Sequence, residues 1–370
     1  MSQSGLLVDA APPGEFVMLR IHLDGGQLTT GQLRAIGRVA RRYARDNVEV
    51  TDRQHVQLRQ VRIEDAPAAF TWLRAVSLAA TPAGRDAQRL FLGSPVAGIA
   101  ADEIIDGTPA LHAIRDRWSG RAEFAGLPGT FRTAISGSPR QDVLHEAGDI
   151  SFVGVRHPAL GPGFDIWVGG GPPANLVMAS RLDAFAAARE VPDVWAAVVR
   201  TFRDCGYRRP PGDASLKSLI SDWGVERFRH VLETEYLHRS LTGGVAPPPP
   251  AGPRDQVGVH AQRDGRCYVG ITPLAGRPGG TTLVALADLA AAHGSSRVRT
   301  TPYQKFIILD IPPDRVESLC RGLERIGLTA RPALSRRCAL ARARVSIGEP
   351  GNRIPVPVRD RAGDPWPGRR

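Results

Sequence analysis

The pattern of apolar and polar positions along this chain repeats itself. Residues 17–78 recur at residues 267–328 with a constant offset of 250 residues and no gap. A period of that length is far beyond the roughly 20 to 50 residues of a solenoid repeat. We therefore expect two copies of one module that pair around a central segment, with a site between them. The matched positions include Val17, Leu19 and Ile21 with Cys267, Val269 and Ile271, and Thr51 and Gln54 with Thr301 and Gln304.

Each copy predicts the same order of elements, shown here for the first. Alternation at 17–23 predicts a strand, and helical spacing from Leu33 to Tyr43 predicts a helix with one buried stripe. Two short alternating runs, 48–50 and 56–58, predict strands on either side of a turn at Thr51-Asp52-Arg53. A second helix at 65–76 closes a βαββα unit. This order is typical of an α+β sandwich, and the sheets of two such units can join edge to edge.

Residues 81 to about 243 form a separate block between the two copies. Its apolar spacing predicts strands at 150–155 and 164–168, and helices at 182–190, 195–204 and 218–236. A glycine- and proline-rich run follows at 243–253, and because proline runs favour extended geometry we expect a stiff spacer there. Beyond Pro332 the apolar periodicity stops. The predicted domains are a first half-unit at 15–80, a central domain at 81–243, a second half-unit at 254–332 and a disordered basic tail at 333–370.

The length and charge of the chain indicate the number of domains and the classes of partner to expect. The 370 residues are enough for two or three domains, each with a core. The net charge is +11, but residues 331–370 alone hold ten arginines against three acidic residues. A nucleic-acid footprint lies instead on a folded face, so we expect no nucleic-acid partner. No apolar run approaches the roughly 18 residues of a membrane span and no basic secretory signal opens the chain, so we expect no membrane association.

The cysteines give no sign of a disulfide framework. Cys205, Cys267, Cys320 and Cys338 are scattered without any CxxC spacing. This pattern indicates neither paired cysteines nor a self-contained metal site, and we predict no metal-ligating residues. The expected location is therefore the cytoplasm.

Three local features are candidates for ligand binding. Arg53, in the turn between two short strands, presents a planar guanidinium that can hold a carboxylate or an oxyanion, although hairpin turns are polar by default. Lys217 lies near the start of a predicted helix, where an anion would offset the positive helix dipole; the alternative is a surface lysine. Gly169-Gly170-Gly171 suits either close approach of a ligand or a simple tight turn, and matches no nucleotide-binding fingerprint.

Seven stretches, in order along residues 15 to about 335, share the motifs of one enzyme family. They are Gly26-Gln27-Leu28-Thr29, Thr51-Asp52-Arg53-Gln54-His55-Val56-Gln57-Leu58, Leu92-Gly93-Ser94-Pro95, Ser136-Gly137-Ser138-Pro139-Arg140-Gln141-Asp142, residues 168–171, Asp222-Trp223-Gly224-Val225-Glu226 and Thr301-Pro302-Tyr303-Gln304-Lys305. On these motifs the chain is identified as a member of the ferredoxin-dependent sulfite/nitrite reductase family. The resemblance implies an α+β fold in which two ferredoxin-like half-domains, related by a pseudo-twofold repeat, flank a sirohaem-binding α/β domain.

The same resemblance implies roles for individual residues. Basic side chains in this family surround the open face of sirohaem and bind its carboxylates and the sulfite or nitrite anion. By their place in the motifs, Arg53, Arg132 and Lys217 are the implied catalytic residues, and Arg89 and Gln304 join them in binding sirohaem. Ferredoxin is the implied electron donor for a six-electron reduction. Charge-assisted donors suit this task because the oxyanion must be desolvated and its intermediates stabilised.

The chain departs from the family pattern at two basic positions. Gly129 stands where the family has an arginine, and Ser215 stands where the paired basic site has its first basic residue. A charged hydrogen bond is worth about 1.5 to 3 kcal/mol, so losing two costs about 3 to 6 kcal/mol, a factor of about 10² to 10⁴ in affinity for the anion. We expect turnover to suffer.

A larger departure lies at the C-terminus. The family continues after Pro332 into two cysteine pairs that hold a 4Fe-4S cluster, one sulfur of which bridges to the sirohaem iron. Here Arg336, Arg337, Cys338 and a basic tail follow instead. Such a cluster needs four thiolates. We therefore expect the cluster ligands to be absent, the chain to be C-terminally truncated or its tail to be out-of-frame translation, and the chain alone to be inactive.

Two alternative functions stay open. One is a precorrin-3B synthase-like enzyme, which shares the half-domains and the cluster but acts on a corrin precursor; the turn at Arg53-Gln54 and Lys217 favour the reductase. The other is a non-catalytic tetrapyrrole-binding remnant that has lost redox chemistry. Sulfite and nitrite are both small anions that the same basic residues would bind, so the motifs do not choose between them.

Overall fold

The computed structural model of the protein describes residues 6–8, 15–78, 89–118, 121, 123, 127, 131–171, 177–207, 215–273 and 276–331. For Arg89 only the backbone is described. Gly129 and the tail predicted at 333–370 lie outside the described residues. None of the described helices is long and apolar enough to cross a bilayer.

The first half-domain packs helices on one face of an antiparallel sheet. Its elements are β1 Leu6–Val8, β2 Phe16–Ile21, β3 Gln27–Thr29, α1 Thr30–Tyr43, β4 Val48–Val50, β5 Val56–Arg62 and α2 Ala66–Arg74. The sheet has the order β1-β2-β5-β4. Helix α1 begins with a capping box, in which the Thr29 hydroxyl accepts from the Gln32 N–H and the Gln32 amide oxygen accepts from the Thr29 N–H. The predicted βαββα order is confirmed.

The central domain is built on a mixed sheet. Its elements are β6 Arg89–Gly93, α3 Thr108–Trp118, β7 Phe131–Ser136, β8 Ile150–His157, β9 Gly161–Val168, β10 Ser180–Ala186, α4 Val191–Cys205, α5 Leu216–Trp223, α6 Val225–Val231 and β11 Thr242–Gly243. The strand order is β11-β10-β9-β8-β7-β6, parallel from β6 to β8 and antiparallel beyond. Helix α4 buries Trp195 in the core, where the indole N–H donates to the Thr133 hydroxyl at 2.8 Å.

Two predictions for the central domain were wrong. The stretch 182–190 begins as strand β10 and not as a helix, because Leu182, Ala184 and Ala186 bury at strand spacing against β9. Pairing with the neighbouring strand therefore overrides the helical propensity of an alanine-rich segment. The predicted helix at 218–236 is interrupted by Gly224, whose φ of 73° lies in the left-handed region, and it continues as α6 and a π-helical turn at Leu232–Leu237.

The proline-rich spacer packs along the central domain. The Gln141 amide donates to the Pro248 carbonyl at 2.7 Å, and the Ala251 N–H donates to the Pro139 carbonyl at 2.9 Å. The spacer therefore has a fixed path to the second half-domain.

The second half-domain repeats the first, takes one strand from it and shares its core. Its elements are β12 Gly258–Ala261, β13 Cys267–Ile271, α7 Gly280–Ala292, β14 Arg297–Thr300, β15 Phe306–Ile311 and α8 Val316–Arg325. The sheet order is β12-β13-β15-β14-β3, so a strand of the first half-domain completes the sheet of the second. Thr29 of the first half-domain pairs with Arg297 of the second. The residues that correspond to them at the offset of 250, Gly279 and Asn47, also form a bridge, so the contact is made once from each half-domain. The two sheets thus join at their edges, and both halves bury one common apolar core.

The backbone itself carries the repeat. Left-handed φ values occur at Gly26 and Gly276, at Gln54 and Gln304, at Gln60 and Asp310, and at Ser77 and Gly327, each pair separated by the same offset of 250 residues. Few non-glycine residues adopt this conformation. The duplication therefore extends to individual turns and bulges.

Candidate functional site

The turn after β4 presents Arg53. The Thr51 hydroxyl accepts from the backbone N–H of Arg53 at 3.2 Å and of His55 at 3.1 Å, and Gln54 adopts a φ of 59°. The Gln54 side chain is fully buried and bonds both the N–H and the carbonyl of Gly93. These bonds fix the backbone of the turn, so the position from which the Arg53 guanidinium projects is set in advance.

The equivalent turn in the second half-domain has the same backbone and different chemistry. The Thr301 hydroxyl accepts from the N–H groups of Tyr303 and Lys305, each at 3.2 Å. Tyr303 stands where the first half-domain has Arg53, and Lys305, the counterpart of His55, forms an ion pair with Asp255. The cation of this turn is therefore already neutralised within the protein.

Arg132 projects from β7 into the region beside Arg53. Its backbone N–H donates to Asp149 at 2.7 Å, and its guanidinium donates to the Ala147 carbonyl at 3.2 Å. Burial lowers the pKa of Arg132; the charges of Asp52 and Asp149 raise this pKa and the charge of Arg53 lowers it. A buried guanidinium within electrostatic range of Arg53 places these two residues at one site.

Lys217, in the first turn of α5, lies within electrostatic range of Asp149, the carboxyl that accepts from the Arg132 N–H. Burial raises the pKa of Asp149 to about 7, and the hydrogen bond and charge of Arg132 and the charge of Lys217 oppose this rise. Gly169 allows the close approach of α5, since a Cβ on Gly169 would lie 2.9 Å from Ile220, and Gly170 packs against the turn before β8, where an added Cβ would lie 2.5 Å from the Gly148 carbonyl oxygen. Close packing therefore accounts for Gly169 and Gly170.

The structure adds a basic residue that the motifs missed. Arg20, on β2, lies half-buried beside the first half-domain's turn, and burial followed by the charge of Arg53 lowers its pKa. No motif contains Arg20. The only sequence signal is its place in an alternating strand, where the neighbouring apolar residues Leu19 and Ile21 face the core.

Two histidines line the same site without adding charge. The ring of His55 meets that of His22 edge to face at 4.8 Å, and Nδ1 of His55 accepts from the Leu23 N–H at 3.1 Å. Burial, with the charges of His22, Arg20 and Arg53, lowers the pKa of His55 to about 3, and burial lowers the pKa of His22 as well. Both rings are therefore neutral at physiological pH.

The basic residues of this site form no salt bridges among the described residues, although the charge of Asp52 acts on Arg20 and Arg132 and the carboxyl of Asp149 interacts with Arg132 and Lys217. Within the described part of the chain, no salt bridge joins an acidic side chain to Arg20, Arg53, Arg132 or Lys217. Several arginines elsewhere form salt bridges, as Arg297 does with Asp310 at 2.7 Å, whereas the buried Arg299 donates to the Pro95 and Ala97 carbonyls. Removing cations from water without a partner is costly, so a cluster of such groups fits an anionic ligand.

Two predicted site residues need separate description. The backbone of Arg89 pairs with Phe131, next to Arg132, and its side chain lies outside the described residues. Gln304 donates its amide to the Val50 carbonyl at 3.0 Å, three residues before Arg53. Gln304 therefore supports the strand that leads into the Arg53 turn, and its predicted contact with a cofactor stays a prediction.

The described residues fit a polyanionic tetrapyrrole better than they fit a metal cluster. Unpaired cations from three elements suit the carboxylates of sirohaem. Cys205, Cys267 and Cys320 are free and lie on α4, β13 and α8 respectively. Among the residues that the structure describes, no three His, Cys, Asp or Glu side chains are grouped so as to hold a metal ion. The described part of the chain therefore does not provide the thiolates that a 4Fe-4S cluster requires.

The fold consists of two half-domains around a central domain that contributes Arg132 and Lys217 to the basic site, and comparisons with known families identify its class. The nitrite and sulphite reductase 4Fe-4S domain matches residues 85–241. The nitrite/sulfite reductase ferredoxin-like half domain matches residues 9–76 and 260–326. The chain belongs to the nitrite and sulfite reductase family, and the predicted fold class is confirmed.

Individual relatives agree with this assignment. A sulfite reductase (ferredoxin) 2 from Mycolicibacterium paratuberculosis is 47% identical over 88% of this chain and 58% of its own length. A ferredoxin–nitrite reductase from Synechococcus elongatus is 33% identical over 85% of this chain and 62% of its own length. The solved structure of the Mycobacterium tuberculosis NirA protein superimposes with a TM-score of 0.82 and 44% identity, covering 90% of this chain and 63% of NirA. The chain thus spans about three fifths of these relatives.

Proposed function

We propose that this chain is the sirohaem-binding part of a ferredoxin-dependent sulfite or nitrite reductase. The observation that carries the proposal is the cluster of half-buried or buried cations, Arg20, Arg53, Arg132 and Lys217, which form no salt bridges among the described residues. The names of the relatives support the substrate and the electron donor. The cytoplasmic location expected from the cysteine pattern stays a prediction.

The basic residues of the site bind anionic groups. Arg53 and Arg132 offer planar donors to carboxylates of the tetrapyrrole, and Lys217 offers a compact charge to the oxyanion. Bound sirohaem supplies the redox-active iron for the six-electron reduction. Because His22 and His55 are neutral, the positive charge of the site comes from the arginines and the lysine.

We propose further that the 4Fe-4S cluster of the family is not held by this chain alone. The three described cysteines lie on separate elements, and among the described residues no three His, Cys, Asp or Glu side chains are grouped so as to hold a metal ion. The relatives extend well beyond the matched region, and their additional length is where such ligands belong. The isolated chain is therefore expected to bind sirohaem and to show no turnover of sulfite or nitrite with reduced ferredoxin.

Titration of the purified chain with sirohaem tests the proposal. Quenching of tryptophan fluorescence gives the affinity, which should fall about 10- to 100-fold in Arg53→Gln and in Lys217→Gln, because each loses a charge-assisted hydrogen bond. Arg38→Gln is the matched control, since Arg38 is exposed on α1 and the same charge is removed. Failure of the unmodified chain to bind sirohaem would refute the proposal.

Iron and acid-labile sulfide analysis of the protein purified from cells distinguishes a chain that binds only sirohaem from a complete reductase that also holds the iron-sulfur cluster. Sirohaem without sulfide agrees with the proposal for the chain alone. Sirohaem together with acid-labile sulfide and turnover would show that the chain is a complete reductase and would contradict the proposed lack of cluster ligands.

A further inference from the structure

Helix α1 carries a row of arginines on its outer surface. Its buried side, which includes Leu33, Ile36 and Val39, packs into the common core. Positions that are three and four residues apart share one side of a helix, so the arginines lie together on the side opposite the core. They are Arg34, Arg38, Arg41 and Arg42, with Arg45 just beyond the end of the helix. All except the half-buried Arg34 are exposed. These five residues form the arginine stripe.

The stripe is short of acidic partners. Arg34 forms a salt bridge with Asp288 on α7 at 2.6 Å. Among the described residues, no acidic side chain forms a salt bridge with any of the other four arginines. Like charges three and four residues apart on a helix repel each other, so the arrangement destabilises the free protein. The helix dipole favours cations in the last turn, which accounts for Arg41 and Arg42 but not for Arg38.

Aromatic rings orient two of the guanidinium groups. The Arg42 guanidinium lies over the rings of Tyr43 and Trp72, at 5.4 and 5.8 Å from the ring centroids. The Arg45 guanidinium lies 4.8 Å from the centroid of the Phe16 ring. A ring face attracts a cation without cancelling its charge. These two arginines are therefore held in place at the surface and stay positively charged.

The second half-domain shows that the fold does not require the stripe. Its helix α7 packs into the same core as α1. At the offset of 250 residues, the five arginines correspond to Val284, Asp288, Ala291, Ala292 and Ser295. The same helix therefore forms in the same fold without a cation at any of these positions. The stripe is a property of one half-domain's surface, and this points to a ligand.

The stripe does not belong to the basic site around Arg53. Arg20 of that site lies on the face of the first sheet that points away from the core, since Leu19 and Ile21 of the same strand bury in the core. Helix α1 packs on the core side of this sheet, and the stripe faces outwards from the helix. Both the sheet and the helix therefore lie between the stripe and Arg20. An electron donor docked on the stripe would be separated from the site by both layers, so a redox partner does not fit this surface.

We propose that the arginine stripe binds the phosphate backbone of nucleic acid. Arginine suits phosphate because its planar group can donate two hydrogen bonds to one ligand group. At about 1.5 Å of rise per residue the stripe extends for about 16 Å, which is long enough to follow several phosphates of one strand. The charge of the tail gives no reason to expect nucleic acid, whereas the stripe is a basic face on a folded domain, the feature that indicates such a partner.

The proposed contact is to the backbone and is therefore independent of base sequence. It does not rest on the proposed sirohaem function. Because the stripe and the basic site lie on different sides of the first sheet, the two proposals can be tested separately on the same protein.

Fluorescence anisotropy of a short labelled DNA duplex of mixed sequence tests the proposal on the full chain. The stripe variant combines Arg38→Gln, Arg41→Gln and Arg42→Gln. It should bind the duplex at least about 10-fold more weakly at low salt, and the slope of log K against log salt should fall by about 2 to 3, since each phosphate contact contributes about 0.9. Lysine at the same three positions should keep the slope, because the charge is retained.

The matched control removes three exposed arginines from the second half-domain. It combines Arg315→Gln, Arg321→Gln and Arg325→Gln, at the start of α8 and along it. The control changes the net charge by the same amount as the stripe variant and keeps the basic tail. It should bind the duplex with the affinity and salt slope of the unmodified chain. Thermal unfolding of both variants checks that each is folded.

Three results would overturn the proposal. The first is an unmodified chain that does not bind the duplex. The second is an equal loss of affinity in the stripe variant and the control, which would assign binding to net charge. The third is a folded stripe variant with unchanged affinity and salt slope, which would assign binding to the tail. If that variant instead binds ferredoxin more weakly, the stripe is a site for an acidic protein.

The affinity for sirohaem provides the independent readout. The stripe variant should bind sirohaem as the unmodified chain does, because the first sheet and α1 lie between the stripe and Arg20. Failure of the unmodified chain to bind sirohaem would refute the proposed function and leave the result with the duplex unaffected.

Discussion

Gln54 and Gln304 bind each other's half-domain through the same atoms. The Gln54 side-chain amide donates to the Thr300 carbonyl at 3.2 Å, and the Gln304 amide donates to the Val50 carbonyl at 3.0 Å. Donors and acceptors are both related by the offset of 250 residues, and both glutamines have φ near 60°. Each turn is therefore held by the half-domain opposite, and the position of Arg53 depends on the pairing of the two halves.

Replacing these two glutamines by alanine should have unequal effects. Gln54 is fully buried and also bonds the N–H and carbonyl of Gly93, whereas Gln304 makes the single bond to Val50. At about 1 kcal/mol for each bond, with a further cost for buried groups left unpaired, Gln54→Ala should lose about 3 kcal/mol and Gln304→Ala about 1 kcal/mol. Urea unfolding measures the free energy of unfolding of each variant. Because both glutamines have a positive φ, the strain of an alanine there is the same in the two variants and does not affect their difference. Equal losses would contradict this account.

Helices α1 and α7 pack closely through Gly37 and Gly280. A Cβ on Gly37 would lie 2.6 Å from the Gly280 carbonyl oxygen, which belongs to backbone and cannot move aside. Gly37→Ala should therefore destabilise the protein by about 1 to 3 kcal/mol, measured by thermal or urea unfolding. Gly31, in the first turn of the same helix, meets only the Thr29 hydroxyl at 3.7 Å. Gly31→Ala should leave the stability unchanged or raise it by about 0.5 kcal/mol.

The buried His55 should make the protein less stable in acid. Its pKa is about 3 in the folded state against 6.5 for an ordinary histidine, so the unfolded chain binds the proton more readily. The contribution to stability is fully present above pH 6.5 and is lost as the pH falls from 6.5 towards 3, with a loss of about 2 kcal/mol by pH 5. Unfolding measured at pH 7 and pH 5 gives this difference.

His55→Asn is the control for that titration. The asparagine carbonyl oxygen replaces Nδ1 as the acceptor for the Leu23 N–H and does not titrate. The variant should lose less stability than the unmodified chain between pH 7 and pH 5. An identical loss in both proteins would assign the acid sensitivity to other groups.

Asp149 should make anion binding depend on pH. Its carboxyl has a pKa of about 7 and interacts with Arg132 and Lys217. Above pH 7 the carboxylate competes with an anionic ligand for these cations, and below pH 7 the neutral acid does not. Sirohaem should therefore bind more weakly at pH 8 than at pH 6. Asp149→Asn retains an acceptor for the Arg132 N–H and should bind with similar affinity at both values; a pH dependence equal to that of the unmodified chain would exclude Asp149 as its origin.

The repeat made the half-domains predictable. Apolar positions at matched spacing located β2, α1, β4, β5 and α2, since each of these elements places its apolar side chains in the common core. The central domain was harder because its sheet is covered by helices, so that Leu182 and its neighbours in β10 are buried without a clear polar alternation. Local propensity then favoured the wrong element.

The site was predictable only where a motif recorded it. Arg53 and Lys217 were candidates from local features as well as from the family resemblance, and Arg132 came from the resemblance alone. The structure places Arg53 within electrostatic range of Arg132, and places both Arg132 and Lys217 within electrostatic range of Asp149. Arg20 and Asp149 were missed because their importance arises from partners far along the chain. No local sequence pattern shows that Glu49 forms a salt bridge with Arg59, or that the carboxyl of Asp149, which accepts from the Arg132 N–H, is buried.

Strand β3 has a consequence for how the protein is made. Gln27–Thr29 pairs with Arg297–Arg299, so one edge of the second sheet comes from the beginning of the chain. A ribosome releases residues 27–29 long before residues 297–299 exist, and the early segment must wait with its hydrogen-bonding groups facing water. Contacts so distant in sequence form late and slowly. We therefore expect a stage during synthesis in which the first half-domain can bind chaperones or aggregate, and this stage ends when the second half-domain has been made.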